Sequence, residues 1–252
     1  MDLIQALAAE LGKDPRHVEN VVHLLDEGNT IPFIARYRKE LHGAMDDTSL
    51  RTLEERLQYL RGLEERREAV KKSIDEQGKL TDELAAAIDS AKTLAEVEDL
   101  YRPYKQKRRT RATMAKEKGL EPLAALLFAQ ERDCPRPEEA ARDFVDPEKG
   151  VETVEDALQG ASDIIAEQIS DDAAIRKSLR ALISRQGQLV SRAATEDDSV
   201  YRLYYDFTQS VARLQGHQVL AINRGEKEGI LKVSITLDRE QALPLLSRAV
   251  VK

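Results

Sequence analysis

LRTLEERLQYLRGLEERREAVKKSIDEQG, residues 50–78, is the stretch that decides the fold class. Leu50, Leu53, Leu57 and Leu60 return at intervals of three and four, and Glu and Arg fill the positions between them. That period lays the leucines along one stripe of an α-helix and puts ion pairs on its flanks. Asp46, Asp47, Thr48 and Ser49 all offer N-caps and Gly78 is a stop, so the reading predicts a helix reaching to about Gln77. At ~1.5 Å per residue such a helix is on the order of 40 Å long, more than a small domain buries. It is expected to act as a strut against several neighbours. The leucine stripe covers only about two heptads, too few for a coiled coil.

Upstream, apolar residues recur at helical spacing from Leu3 to Leu11, and Asp14-Pro15 caps and opens a second helix to about Asp26, stopped by Gly28. Thr30 precedes a short helix in which Phe33, Ile34 and Tyr37 share a face, with Arg36, Arg38 and Lys39 around the rest. These three segments predict a compact helical head. Downstream, Thr81 caps a helix through Ala91, and Thr93 to Glu96 reads as a capping box for a helix that the RPY of residues 102–104 breaks. Glu121-Pro122 opens another, after which RDCPRP, residues 132–137, is a proline-interrupted hinge.

The division expected is therefore 1–132, an N-terminal helical region carrying a basic loop at 101–118, and 133–252, a second helical unit. In the latter, Thr153 with Asp156 starts a helix to about Ile169, and Ser170-Asp171-Asp172 either kinks it or caps a new one to Arg185. QLVSRA at 188–193 and ILKVSITLD at 230–238 read as short strands, SVYRLYYDF at 199–207 as helix or strand, and INRGEKEG at 222–229 as a turn.

Composition agrees with a mainly α, multi-helical chain with a small β segment near the C-terminus. Aromatics make up 4% and Trp is absent, which argues against a β-sandwich, while Ala, Leu, Glu and Arg oppose helix formation least. Cys134 is the single cysteine, so no intramolecular disulfide framework is possible and a reducing compartment is expected. The first residues lack a basic lead and long apolar run, and no stretch nears the ~18 apolar residues of a membrane span. The expectation is a cytoplasmic protein with no membrane partner.

The strongest local signal is electrostatic. Residues 105–118 hold seven Lys or Arg and one Glu, a segment of +6 in a chain of net charge −7. Lys and Arg that neutralise phosphates release counterions and supply sequence-independent affinity for nucleic acid. Lys105, Lys107, Arg108, Arg109, Arg111, Lys116 and Lys118 are the candidate phosphate contacts, and Tyr101 and Tyr104 the candidate stacking groups. The alternative is an intramolecular clamp, with these cations paired to acidic helices such as the one around Glu64, Glu65 and Glu68. RYRK at 36–39 could extend such a patch if the helical head folds toward the loop, but it reads more simply as dipole compensation at a helix C-terminus.

Catalytic signals are nearly silent. His17, His23, His42 and His217 form no HExxH, one cysteine permits no compact zinc spacing, and Gly-x-Ser-x-Gly is missing. INRGEKEG has two glycines without the spacing or the Gly-Lys-Ser/Thr of a phosphate loop. With 46 Asp and Glu, chance carboxylate pairs are expected, so a metal-dependent nuclease would need carboxylates clustered in space around an ion. No catalytic residue, metal or cofactor is assigned, and no enzyme activity is expected.

Four stretches carry a resemblance: NTIPFIARYRKELHG (29–43), LRTLEERLQYLRGLEERREAVKKSIDEQGKLTDELAAAI (50–88), VEDLYRPYKQKRRTRATMAKEKGLEPLA (97–124) and HQVLAINRGEKEGILKVSI (217–235). In this order they resemble the N-terminal region of the Tex family of bacterial transcription accessory proteins. The resemblance implies a helix-turn-helix-like part in the head, helices that scaffold later domains, and a nucleic-acid-binding role, RNA or DNA, alongside the transcription machinery. It also implies longer members that continue into a ribonuclease H-like domain, helix-hairpin-helix elements and an OB-fold domain, so the chain is expected to be an N-terminal portion without them. The rival expectation is a protein-interaction scaffold whose basic loop docks on the remaining domains of the full-length chain.

Overall fold

The computed structural model describes residues 3–196 and 198–252. The chain is mainly helical, with a three-stranded antiparallel sheet near its C-terminus, and divides into two compact units, Met1–Glu98 and Asp99–Lys252.

The first unit contains α1 (Leu3–Leu11), α2 (Pro15–Asp26), α3 (Ile31–Tyr37), α4 (Asp47–Asp75) and α5 (Asp82–Ser90). The caps are those that the local sequence favours. Asp14 accepts from the Arg16 amide at 2.8 Å, Asp46 from the Ser49 amide at 2.6 Å and Thr81 from the Leu84 amide at 3.2 Å. The strut helix α4 buries Leu50, Leu53, Leu57, Leu60, Leu63, Arg67, Val70 and Ile74. The stripe thus runs beyond the two heptads expected, because it continues through an arginine that a hydrophobic pattern does not count. Each buried leucine contributes about 1.5–3 kcal/mol. Arg67 reaches the C-terminal end of α5, donating to the Ala91 carbonyl at 2.6 Å, and pairs with Glu64 at 2.6 Å.

Two ion pairs clip the head to the strut: Arg56 to Glu10 at 2.7 Å and Arg61 to Asp26 at 2.6 Å. The guanidinium hydrogen bonds hold both carboxyls below their ordinary range. A carboxylate whose folded pKa is depressed stabilises the fold above its unfolded pKa, near 4, and that contribution is lost as pH falls further. We therefore expect the stability difference between the parent and an Arg56→Ala/Arg61→Ala variant to be largest near neutrality and to shrink below about pH 4. Urea titrations at pH 7 and pH 3 check this; a difference that grows in acid contradicts it.

Helix α6 (Leu94–Tyr101) leads into the second unit. Its start is a variant of the box expected: the Thr93 hydroxyl accepts from the Glu96 amide at 3.2 Å, and Glu96 accepts from the Lys92 amide at 2.7 Å. There follow α7 (Arg111–Glu117), α8 (Glu121–Ala129), α9 (Pro137–Arg142), α10 (Val154–Asp171), α11 (Ala173–Gln186), β1 (Gln188–Ala193), β2 (Asp206–Ser210), α12 (Gly216–Lys227), β3 (Leu231–Thr236) and α13 (Arg239–Val250). The core around α10 is made largely of small residues, Ala112, Ala115, Ala124, Ala140, Ala141, Ala157 and Ala161, closed by Leu120, Leu123, Val151 and Ile164. Small side chains let helices approach closely, and Gly160 is the extreme case: a Cβ there would run into the Leu120 side chain. Asp99, buried in this unit, accepts from Arg176 at 2.7 Å and Arg180 at 2.6 Å, tying the end of α6 to α11.

The sheet has the order β2-β1-β3, with Leu189 opposite Gln209 on one side and Ile235 on the other. Three sequence readings are corrected here. INRGEKEG is the last part of α12, with the turn confined to Glu228 and Gly229; its Gly225 is there because a Cβ would meet Leu231 at 2.7 Å. SVYRLYYDF is neither a helix nor a single strand but a 3-10 turn, Arg202–Tyr204, running into β2. Residues 101–118 are only partly loop, since Thr110 and Thr113 form a capping box that starts α7. Among the described residues no helix is long and apolar enough to cross a membrane.

Candidate nucleic-acid interface

The basic segment lies in the second unit and is shaped by three local devices. Pro103 holds residues 102–104 in a 3-10 turn, residues 105–109 run without regular structure, and the Thr110 cap turns the chain into α7. Its inner side faces α10. There Asp163, Glu167 and Asp171 follow one another at intervals of four, so they stand in a row on one helix face.

Each carboxylate of that row meets a cation of the segment. Arg111 lies 3.6 Å from Asp163, Lys107 lies 3.5 Å from Glu167 and also bonds Asp171, and Arg102 donates to Asp171 at 2.9 Å. The Thr110 hydroxyl adds a bond to Glu167 at 3.0 Å. Asp171 is buried, so its two cations neutralise a charge that would otherwise be costly. The clamp read as an alternative from the sequence therefore exists, with partners other than those it named. Glu64 pairs with Arg67 and Glu68 with Lys71, all within the first unit.

The remaining cations divide further. Arg109 pairs with Glu117 at 3.1 Å and Lys116 with Glu121 at 3.3 Å, in exposed positions where such pairs contribute little. Lys118 donates to the Gly150 carbonyl at 2.7 Å, bracing the turn before α10. Lys105 and Arg108 are exposed and have no ion pair or side-chain hydrogen bond among the described residues. Tyr101 and Tyr104 are half-buried rather than open.

Between segment and helix lies a depression of about 600 Å³ lined by Arg102, Lys105, Lys107, Arg108, Arg111 and Glu167, among others. Asp163, Glu167, Asp171 and Glu117 do not neutralise the six cations from Arg102 to Arg111, so the outer surface keeps positive charge. Arg102 and the acidic row were not singled out from the sequence. An i, i+4 spacing of carboxylates was the available signal, but it is common in a chain with 46 of them. Among the described residues no group of three or more His, Cys, Asp or Glu is placed to hold a metal ion.

Against known families, residues 1–75 match the Tex-like protein N-terminal domain and residues 133–250 match the Tex central region. The chain belongs to the Tex family. Among its relatives is the uncharacterized protein YdcI of Bacillus subtilis, 46% identical over 99% of this chain and 35% of YdcI. The transcriptional accessory protein Tex of Neisseria gonorrhoeae is 43% identical over 93% of this chain and 31% of its own length. An S1 RNA-binding domain-containing protein 1 from Homo sapiens is 30% identical over 94% of this chain and 24% of its own. The chain thus spans about a third or less of the length of these relatives.

Proposed function

We propose that this chain is a nucleic-acid-binding element of a transcription accessory protein, contacting phosphates without catalysing a reaction. The observation that carries the reading is the excess of cations on the outer side of the basic segment, with Lys105 and Arg108 exposed and unpaired among the described residues. Cations already satisfied by carboxylates gain little from a phosphate, whereas free ones release counterions in full. In this reading Lys105 and Arg108 are the primary contacts, and Arg109 and Lys116 follow by exchanging weak exposed partners, while Arg111 would leave the largely buried Asp163. The names of the relatives, a transcriptional accessory protein and an S1 RNA-binding domain protein, support the same direction.

A second reading applies to the paired cations. The ion pairs of Arg102 and Lys107 with Asp171 favour a structural role for them, holding the segment on α10 as a scaffold element. Under it, transcription machinery or further domains of a longer chain would be the partners of this surface.

One experiment separates the roles. Binding of labelled single-stranded RNA and of duplex DNA is followed by anisotropy across a salt series, for the parent, Lys105→Ala/Arg108→Ala and Lys107→Ala. The double variant is expected to keep its stability within about 0.5 kcal/mol. It should also flatten the salt slope on single strands by ~1.4, the loss of two contacts. Lys107→Ala is expected to lower the melting temperature, because it leaves Asp171 short of a partner. A parent that does not bind at low salt, or a double variant with the parent's slope, overturns the reading.

A further inference from the structure

A second cluster joins cations to an aromatic, and it lies in the first unit. Helix α3 turns Ile31 and Ile34 into the core and leaves Phe33 and Tyr37 on the outer side, with ring centroids 5.3 Å apart and planes inclined at 46°. Tyr37 is 56% exposed. The Arg36 guanidinium lies 6.0 Å from the Tyr37 ring centre, and that of Arg38 lies 5.2 Å from the Phe33 ring centre. Arg38 also donates to the Tyr37 backbone carbonyl at 3.1 Å. Lys39 follows, exposed, with Glu40 the one acidic residue in the run 36–40.

The chain beyond α3 holds this arrangement in place. Asn20 donates to the Leu41 carbonyl at 3.1 Å, and Gly43 has a positive φ of 58° at a point where a Cβ would strike the His17 ring. The cluster therefore sits on a supported turn. Dipole compensation at the end of α3 accounts for a cation there but not for an aromatic ring left in solvent among three of them.

We propose that Tyr37, with Arg36, Arg38 and Lys39, is a stacking site for single-stranded nucleic acid. The exposed part of the Tyr37 ring takes an unpaired base, which would displace the Arg36 guanidinium if it stacks on that side, and flanking cations take the phosphates. Duplex does not fit this chemistry, because its base faces are already stacked on each other. A protein partner is disfavoured because the apolar surface around Tyr37 is small, the Phe33 ring beside it being only partly exposed. Among the described residues of this unit, the other large apolar side chain more than about a third exposed is Leu94, at 38%. The inference deepens the nucleic-acid reading and rests on it, but it uses residues distinct from the basic segment.

The sequence has no tryptophan, so Tyr37→Trp installs a single reporter. Its fluorescence is titrated with oligo-dT, oligo-U and a blunt DNA duplex, while anisotropy of the labelled strands follows binding independently. Saturable quenching by one or both single strands and not by the duplex is expected, the two homopolymers separating DNA from RNA. Tyr37→Ala is expected to weaken single-strand binding roughly 5- to 150-fold, the range of one stacked base. Arg36→Ala/Lys39→Ala should weaken it further at low salt than at high salt. Binding seen by anisotropy with no quenching and no loss in Tyr37→Ala overturns this site while leaving the basic segment as the contact. Quenching of equal strength by duplex or by a polyglutamate peptide also overturns it. Absence of any binding by the parent overturns both readings together.

Discussion

Arg67→Ala is expected to lower the stability of the first unit by roughly 3–5 kcal/mol, the combined cost of a truncated core side chain and a carbonyl left without its donor. Arg67 occupies a place in the apolar stripe of α4 and is 2% exposed, while its guanidinium bonds the Ala91 carbonyl and Glu64. Because Glu64 is half in solvent, the loss comes from the carbonyl and the vacated volume rather than from a stranded charge. Arg67→Met separates these. It refills most of the volume without restoring the donor, so about 1–3 kcal/mol should remain. Hydrogen exchange at the amides of α4 and α5 measures this unit alone. If Met and Ala are equally damaging, packing plays no part; if Met restores the parent, the hydrogen bond contributes nothing.

Gly160→Val is expected to destabilise the second unit by about 1–3 kcal/mol and to loosen the basic segment with it. The added atoms would press on Leu120 and on Ala115, whose Cβ lies 3.3 Å from where a Cβ would stand, and both are nearly inaccessible. Ala115 belongs to α7, so relief by displacement would draw Arg111 away from Asp163. Gly62, in the middle of α4 with nothing within 4 Å, should show the opposite sign: Gly62→Ala is expected to stabilise by up to ~1 kcal/mol, through helix propensity alone. Thermal melts of the two variants beside the parent check the pair. A neutral Gly160→Val would mean that α7 is not closely seated on α10.

Much of the fold was legible because helices are specified locally. The caps at Asp14, Asp46, Thr81 and Thr153 and the three-four spacing of leucines each act within one or two turns, and α1 to α5 and α10 lie where that chemistry puts them. Legibility failed where a local signal was ambiguous. Glycines in INRGEKEG suggest a turn, yet Gly225 serves a close approach of α12 to Leu231. Helix α13 holds Pro244 inside it, a residue that argues locally against a helix interior, so its sequence did not mark it as one.

The candidate site shows the same boundary. By itself the sequence determined that the chain is mainly helical, that it carries the stretches of the Tex family, and that it gathers positive charge at 105–118, since composition, period and charge are properties of neighbouring residues. Only the tertiary structure decided which of those cations are occupied. Lys107 and Asp171 are 64 positions apart and Arg102 and Asp171 are 69, so their pairing depends on where α10 lies against the segment. Coulomb attraction falls with distance in space and takes no account of distance along the chain. For that reason Lys105 and Arg108, indistinguishable in the sequence from Lys107, emerge unpaired among the described residues once α10 is in place.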